Sequence, residues 1–306
     1  MRKALIRVPA LPLLIDAVNT AIAKSVARAE TSSEVLFKWS PWLAEIELAY
    51  EDRSEIEDSL YAVLYEGARR LRELKIAPVT VGISGDTGKF ESLCRELDLH
   101  LPEGKLYERT AALFEEFLDA YQGALLDLLA TRWEVEVSKS GDKVLLSTTT
   151  GRDYMLPSLV RSVSLYEEGR FFGLRDERRG RVSKGLLNAR SDAKWWLLSL
   201  LAVSSTLTGI ERLQEETRLI HVLFEPTYGI LYEREDLRAY GDVLDVVEDR
   251  VKRIGLYVED LELTRLTLLL DIYSSVENPL FFAFSSHSIS FYGVLGGYGF
   301  IVSVEY

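Results

Sequence analysis

Apolar residues alternate weakly over 3–8 and then, past Pro9, recur at Leu13, Leu14, Ala17, Val18, Ala21 and Ile22. The first spacing suits a strand and the second suits one face of a helix. Stretches 35–39, 43–51 and 77–83, rich in β-branched and aromatic residues, read as strands. Ahead of the last of these, Ile56, Leu60, Val63, Leu64, Leu71 and Leu74 mark one face of a helix ending near Lys75. At its start Ser54 and Glu57 have the spacing of a capping box, in which serine and glutamate each satisfy an end amide. The first 100 residues therefore read β-α-β-β-α-β-α.

Leu113, Phe114, Phe117, Leu118, Tyr121, Leu125 and Leu128 predict a long amphipathic helix over 106–129, followed by a hairpin turning at Ser140-Gly141-Asp142. A domain boundary is expected near 150, giving domains 1–150 and 151–306. The second half predicts an apolar helix at 191–207, a strand at 218–224, helices at 233–254 and 258–273, and a tail of β-strands with a glycine-rich turn. The fold class is thus mixed α/β of the α+β kind: an N-terminal layer, long amphipathic helices and C-terminal antiparallel strands.

Composition narrows the chemistry. With 47% hydrophobic and 27% charged residues the chain is globular. Cys94 is the only cysteine and the histidines, His100, His221 and His287, are scattered, so no disulfide, no metal centre and no cofactor is expected. Arg7, Pro9, Pro12 and Asp16 interrupt the N-terminal apolar stretch, which argues against a leader sequence. The run at 195–203 is far shorter than the roughly 20 residues of a membrane span. A soluble, cytoplasmic protein without membrane contact is expected, of a composition that suits a thermophile.

The stretch VTVGISGDTGKF at 79–90 looks like a strand entering a phosphate-binding loop. A Walker loop places four residues between its first glycine and the Gly-Lys pair, then Ser or Thr. Here five residues separate Gly82 from Gly88, and Phe90 follows Lys89. The simpler reading is a strand leaving through a glycine turn into a helix capped by Asp86 or Thr87. A helix start behind a strand still suits an anion, so Gly85, Gly88 and Lys89 form a possible anion site for a nucleotide or phosphorylated small molecule.

Other clusters read as structural. Asp242, Asp245 and Asp249 share one helical face opposite valines and leucine, an ordinary solvated side. His287 among Ser285, Ser286 and Ser288 lacks the orienting group a hydrolase needs. Arg95 and His100 have the spacing of a helical nuclease motif, yet Pro102 places His100 beyond the helix end. No catalytic residue is assigned.

The segment 170–194 stands apart. It holds eight basic residues (Arg170, Arg175, Arg178, Arg179, Arg181, Lys184, Arg190 and Lys194) against Asp176, Glu177 and Asp192. Its net +5, in a chain of −12, leaves −17 for the rest. Arginines grip phosphates, Phe171 and Phe172 suit stacking on bases, and Gly173, Gly180 and Gly185 permit close backbone approach. Two readings stand side by side: a loop that closes on single-stranded nucleic acid, and a solvated loop or one that pairs with acidic surface on a neighbouring subunit. Of the adjacent Trp195 and Trp196, about 100° apart on a helix, at least one is expected in the core.

The tail GVLGGYGFIVSVEY, a glycine-rich turn leading into a last strand, resembles the glycine-rich loop near the C-terminus of the repeat-associated RNA-binding proteins of CRISPR systems. The resemblance covers about 14 residues and brings no catalytic residue with it. It implies RNA contact by Gly293, Gly296, Gly297 and Gly299, and membership of an archaeal CRISPR effector complex, an antiviral assembly of several subunits on guide RNA and target DNA. The expected function is a non-catalytic subunit of such a nucleoprotein assembly, with other protein subunits and single-stranded RNA or DNA as partners. An enzyme using the turn at 82–89, or a protein-only scaffold, remains the alternative.

Overall fold

The computed structural model describes residues 2–8, 11–29, 35–40, 45–76, 88–137, 144–148, 154–157, 160, 175–176, 181–182, 187–212, 217–225, 231–233, 288–295 and 298–304, with helical positions at 237–238, 241–242, 245 and 248–249. The class is α+β, as the periodicities predict. Strands β1 (Arg2–Arg7), β2 (Val35–Ser40) and β3 (Glu45–Tyr50) form an antiparallel sheet in the order β1-β3-β2, and β12 (Leu231–Glu233) joins its far edge against β2. Glu233, the last residue of β12, is where the helix expected at 233–254 was to start, and the described positions from Leu237 to Asp249 within that range are helical.

A second sheet, β4 (Trp133–Val137), β5 (Val144–Thr148), β9 (Leu187–Ser191) and β6 (Tyr154–Met155), contains the expected hairpin β4–β5. In it β9 runs parallel to β5 and antiparallel to β6. The third, β10 (Leu207–Arg212), β11 (Thr217–Glu225), β13 (Ser288–Leu295) and β14 (Tyr298–Val304), is antiparallel throughout and includes the expected C-terminal strands. β7 (Arg175–Asp176) and β8 (Arg181–Val182) form a two-stranded pair within the basic segment. The strand expected at 77–83 and the helix expected at 258–273 lie outside the described residues.

The helices are α1 (Pro12–Arg28), α2 (Arg53–Leu74), α3 (Phe90–Leu97), α4 (Leu106–Ala120), α5 (Leu125–Leu129) and α6 (Ala193–Ser205). Proline stands in the first turn of α1, where its missing N–H costs nothing. Helix α2 ends at Lys75 in the left-handed region, φ 54°, with Ile76 N–H returning to the Leu71 carbonyl. Its start differs from the expected box. Asp52 is the cap, accepting from Ser54 N–H at 2.9 Å.

Glu57 is instead buried and accepts from the N–H groups of Leu125 (2.9 Å) and Leu126 (3.1 Å), so it caps α5 rather than its own helix. The run at 106–129 breaks in the same place. Gly123, at φ 78°, turns the chain left-handed after α4, and the carboxylate from α2 restarts it as α5. The apolar spacing continues across the break because α4 and α5 face one core.

That core is one apolar cluster drawn from both sides of residue 150, from Ile6 to Leu237. Helices α1, α2 and α6 pack on one another, with α4 against α2 and β11 against α1. Helix α6 is buried all round; both Trp195 and Trp196 have no exposed surface. Where α2 crosses the end of α6, a side chain at Gly67 would come within 2.8 Å of Ser205 N, so only glycine permits the approach.

Candidate functional site

The basic segment is anchored by the second sheet. Across β7 and β8, Arg175 pairs with Val182 and Asp176 with Arg181, which brings the second and the fifth of its cations onto neighbouring strands. Arg170, Phe171, Phe172, Arg178, Arg179 and Lys184 lie outside the described residues. On β9, Ala189 and Ser191 are buried and Arg190 between them is exposed, the alternation a strand imposes. Asp192 then caps α6, accepting from Trp195 N–H at 2.9 Å. Lys194, in the first turn, places its ammonium 4.9 Å from the centroid of the Tyr121 ring.

Lys89 does not stand open at a loop mouth. Its ammonium donates to the Met155 carbonyl at 3.3 Å and lies 5.6 Å from the Trp196 ring centroid. Helix α3 starts at Phe90, with Lys89 in the cap position and no side-chain cap bond. Gly88 is exposed; Gly85, Asp86 and Thr87 lie outside the described residues. An anion at this turn has to draw Lys89 away from both partners.

In the tail, Gly293 pairs with Phe300 and Val294 with Gly299 across β13 and β14, so the glycine turn connects two hydrogen-bonded strands. Gly296 and Gly297 lie outside the described residues, as do Ser285, Ser286 and His287. His100 lies past the end of α3, as its distance from Pro102 suggested, while Arg95 pairs with Glu91 at 2.9 Å. Cys94 is buried, its thiol directed to the His100 carbonyl and its pKa raised by burial. Asp242, Asp245 and Asp249 are exposed, and Asp245 pairs with Arg28 at 3.0 Å.

Sequence reading passed over a buried ion cluster. Glu248 accepts from Lys24 of α1 and Arg70 of α2, and all three side chains are at most 5% exposed. Arg70 also donates to the carbonyls of Ser205 (3.0 Å) and Leu207 (2.9 Å). Burial, reinforced by the Arg70 charge, lowers the Lys24 pKa against the pull of Glu248. Burial raises that of Glu248, but the two cations outweigh it and hold the carboxyl below its ordinary range. The available signal was a lysine and an arginine set inside apolar helix faces, beside Ala23 and beside Leu71.

His221 of β11 is fully enclosed nearby, its Nδ1 3.1 Å from Thr206 Oγ1. Burial pushes its pKa down to about 4, with the Arg70 charge acting in the same direction and a bond to Val203 opposing. The unfolded imidazole titrates near ~6.5. Between those values the unfolded chain binds the extra proton, so this ring removes stability as pH falls from about 6.5 toward about 4. Urea midpoints across that window should decline more steeply for wild type than for His221→Gln; parallel profiles would place the ring in contact with water.

The cleft at the Tyr121 turn measures about 470 Å³ and is lined by Glu96, Asp98, Tyr121, Asp192 and Lys194 among others. A more open cleft of about 1060 Å³ is walled by the carboxylates of Glu51, Asp52, Glu55 and Asp58 against Arg2 and Arg53. Among the described residues no group of three or more metal-ligating side chains converges, and no helix is long and apolar enough to cross a membrane. Comparison with known proteins brings no relative to these features: no family model, no curated protein and no solved structure matches the chain.

Proposed function

We propose that the protein is a non-catalytic subunit of a multi-protein, nucleoprotein assembly and that it contacts single-stranded RNA or DNA through residues 170–194. The observation that carries this reading is the charge contrast, +5 over that segment in a chain of −12. The β7–β8 pairing, which sets Arg175 and Arg181 on adjacent strands, supports it, as does Arg190 exposed on β9. Phosphate contacts of this kind are sequence-independent and salt-sensitive. Phe171 and Phe172 supply stacking, and the Gly296–Gly297 turn is a second backbone contact. The resemblance of the tail points to an assembly of the CRISPR effector type, working in an archaeal cytoplasm.

Fluorescence anisotropy with labelled single strands at two salt concentrations tests the proposal on wild type and on Arg178/Arg179/Arg181→Glu. For single strands the slope of log K against log salt is about −0.7 per phosphate neutralised. The triple variant should therefore bind weakly, with a slope shallower by about 2. Wild-type binding that ignores salt, or a variant that binds like wild type, would turn the segment into a protein-pairing surface.

A further inference from the structure

Tyr121 follows α4 directly, in the turn that separates it from α5, and it lines the cleft of about 470 Å³. That volume lies within the ~300–1,000 Å³ of small-ligand sites. Its ring packs on the buried Phe117, with centroids 4.9 Å apart and planes tilted by 42°, and so is fixed to the core. The Lys194 ammonium stands over the same ring on a flexible four-carbon stem. A cation in that position is a removable cover, while the ring beneath it is not free to move.

The remaining walls have a definite chemistry. Glu96 is exposed, lines the cleft and accepts from the Tyr154 hydroxyl through one oxygen at 2.7 Å. Asp98 is exposed as well, held in the left-handed region at φ 55° by the end of α3. Asp192 is occupied as the cap of α6. With three carboxylates and one ammonium the walls carry a net −2, which disfavours a phosphate inside.

An aromatic face beside acceptor-only carboxylates selects a flat ring with donors on its edge. Guanine offers two parallel donors, N1–H and the N2 amino group, to a single carboxylate. Uracil and thymine present there a single N3–H donor flanked by two carbonyl oxygens, and a carboxylate repels those oxygens.

We propose that this cleft is a guanine-selective nucleobase pocket. The base stacks on Tyr121 in place of Lys194, Glu96 or Asp98 accepts from its Watson–Crick edge, and Lys194 swings out to the attached phosphate. The proposal rests on the nucleic-acid reading above. Lys194, the last cation of the basic segment, lines the cleft itself, and Arg190, the one before it, is exposed on β9.

The test compares an eight-nucleotide oligo-uridine with the same strand carrying one central guanosine, by anisotropy at low salt. In wild type the guanosine should tighten binding about tenfold, within the range for a charge-assisted hydrogen bond that uridine cannot make as well. Tyr121→Ala should abolish that gain and Tyr121→Phe should keep it. Asp98→Asn or Glu96→Gln should erase most of it, and since asparagine tolerates left-handed backbone, the Asp98 variant leaves the end of α3 intact. Both carboxylates are exposed, so these two variants decide the matter even where Tyr121→Ala is poorly folded.

Salt-sensitive oligo-uridine binding, lost in Arg178/Arg179/Arg181→Glu but with no gain from guanosine, would overturn the pocket and leave the basic segment standing. A gain that survives in Tyr121→Ala would overturn it too. No binding of either strand by wild type would overturn both.

Discussion

Glu248→Ala is expected to destabilise the protein by about 3–5 kcal/mol, the cost of stranding buried charge. Alanine leaves Lys24 and Arg70 facing each other with their counter-charge gone, each at most 5% exposed. Arg70 cannot swing to water without giving up the carbonyls of Ser205 and Leu207. Lys24→Met should cost less, because it removes one cation and leaves the Arg70–Glu248 pair neutral as a whole, with a side chain of similar length in an apolar place. Urea unfolding at pH 7 should show a lower midpoint at unchanged slope, in the order wild type, Lys24→Met, Glu248→Ala. A loss below about 1 kcal/mol for Glu248→Ala would mean that the cations find solvent or another carboxylate. Glu66 is one such carboxylate, 3.7 Å from Arg70.

The same triad locates the limit of what could be read from the chain. Helix α2, the β4–β5 hairpin and α6 were legible because their signals are local: a period of 3.6 or 2, a turn, a strongly apolar run. The partners of charged residues are not local. Glu57 has the spacing of a capping box and caps α5 instead, since Asp52 already holds the start of α2. Glu248 sits three residues from Asp245 and one from Asp249, so it was hidden among carboxylates that are exposed.

The candidate site divides along the same line. The charge of the basic segment is a property of composition and could be seen at once, whereas the cover that Lys194 lays over Tyr121 needs the fold. Tyr121 itself looked like one more apolar position of a continuous helix. Only the left-handed turn at Gly123 takes it out of that role and gives it a cleft. For Lys89, a possible counter-charge at the turn before α3, the contact with the Trp196 ring likewise needs the fold.

Trp196→Ala should be comparably damaging, about 3–5 kcal/mol, for reasons of packing rather than charge. The indole is wholly buried, meets Phe90 edge-on with centroids 6.1 Å apart, and donates from Nε1 to the Met155 carbonyl at 3.0 Å. It thus joins α6 to the first residue of α3 and to β6, three elements that share no long ladder. Trp196→Phe keeps most of the volume and loses the donor, and since Lys89 still reaches the same carbonyl, it should cost only about 1 kcal/mol. The contrast between the two variants separates cavity from hydrogen bond. Alanine also strips Lys89 of the ring beneath it, so a weak thermal shift with inorganic phosphate in Trp196→Ala, absent in wild type and in Trp196→Phe, would identify that ring as what keeps the turn before α3 from holding an anion. If alanine proves nearly neutral, the neighbours of Trp196 must be able to collapse into the space it leaves.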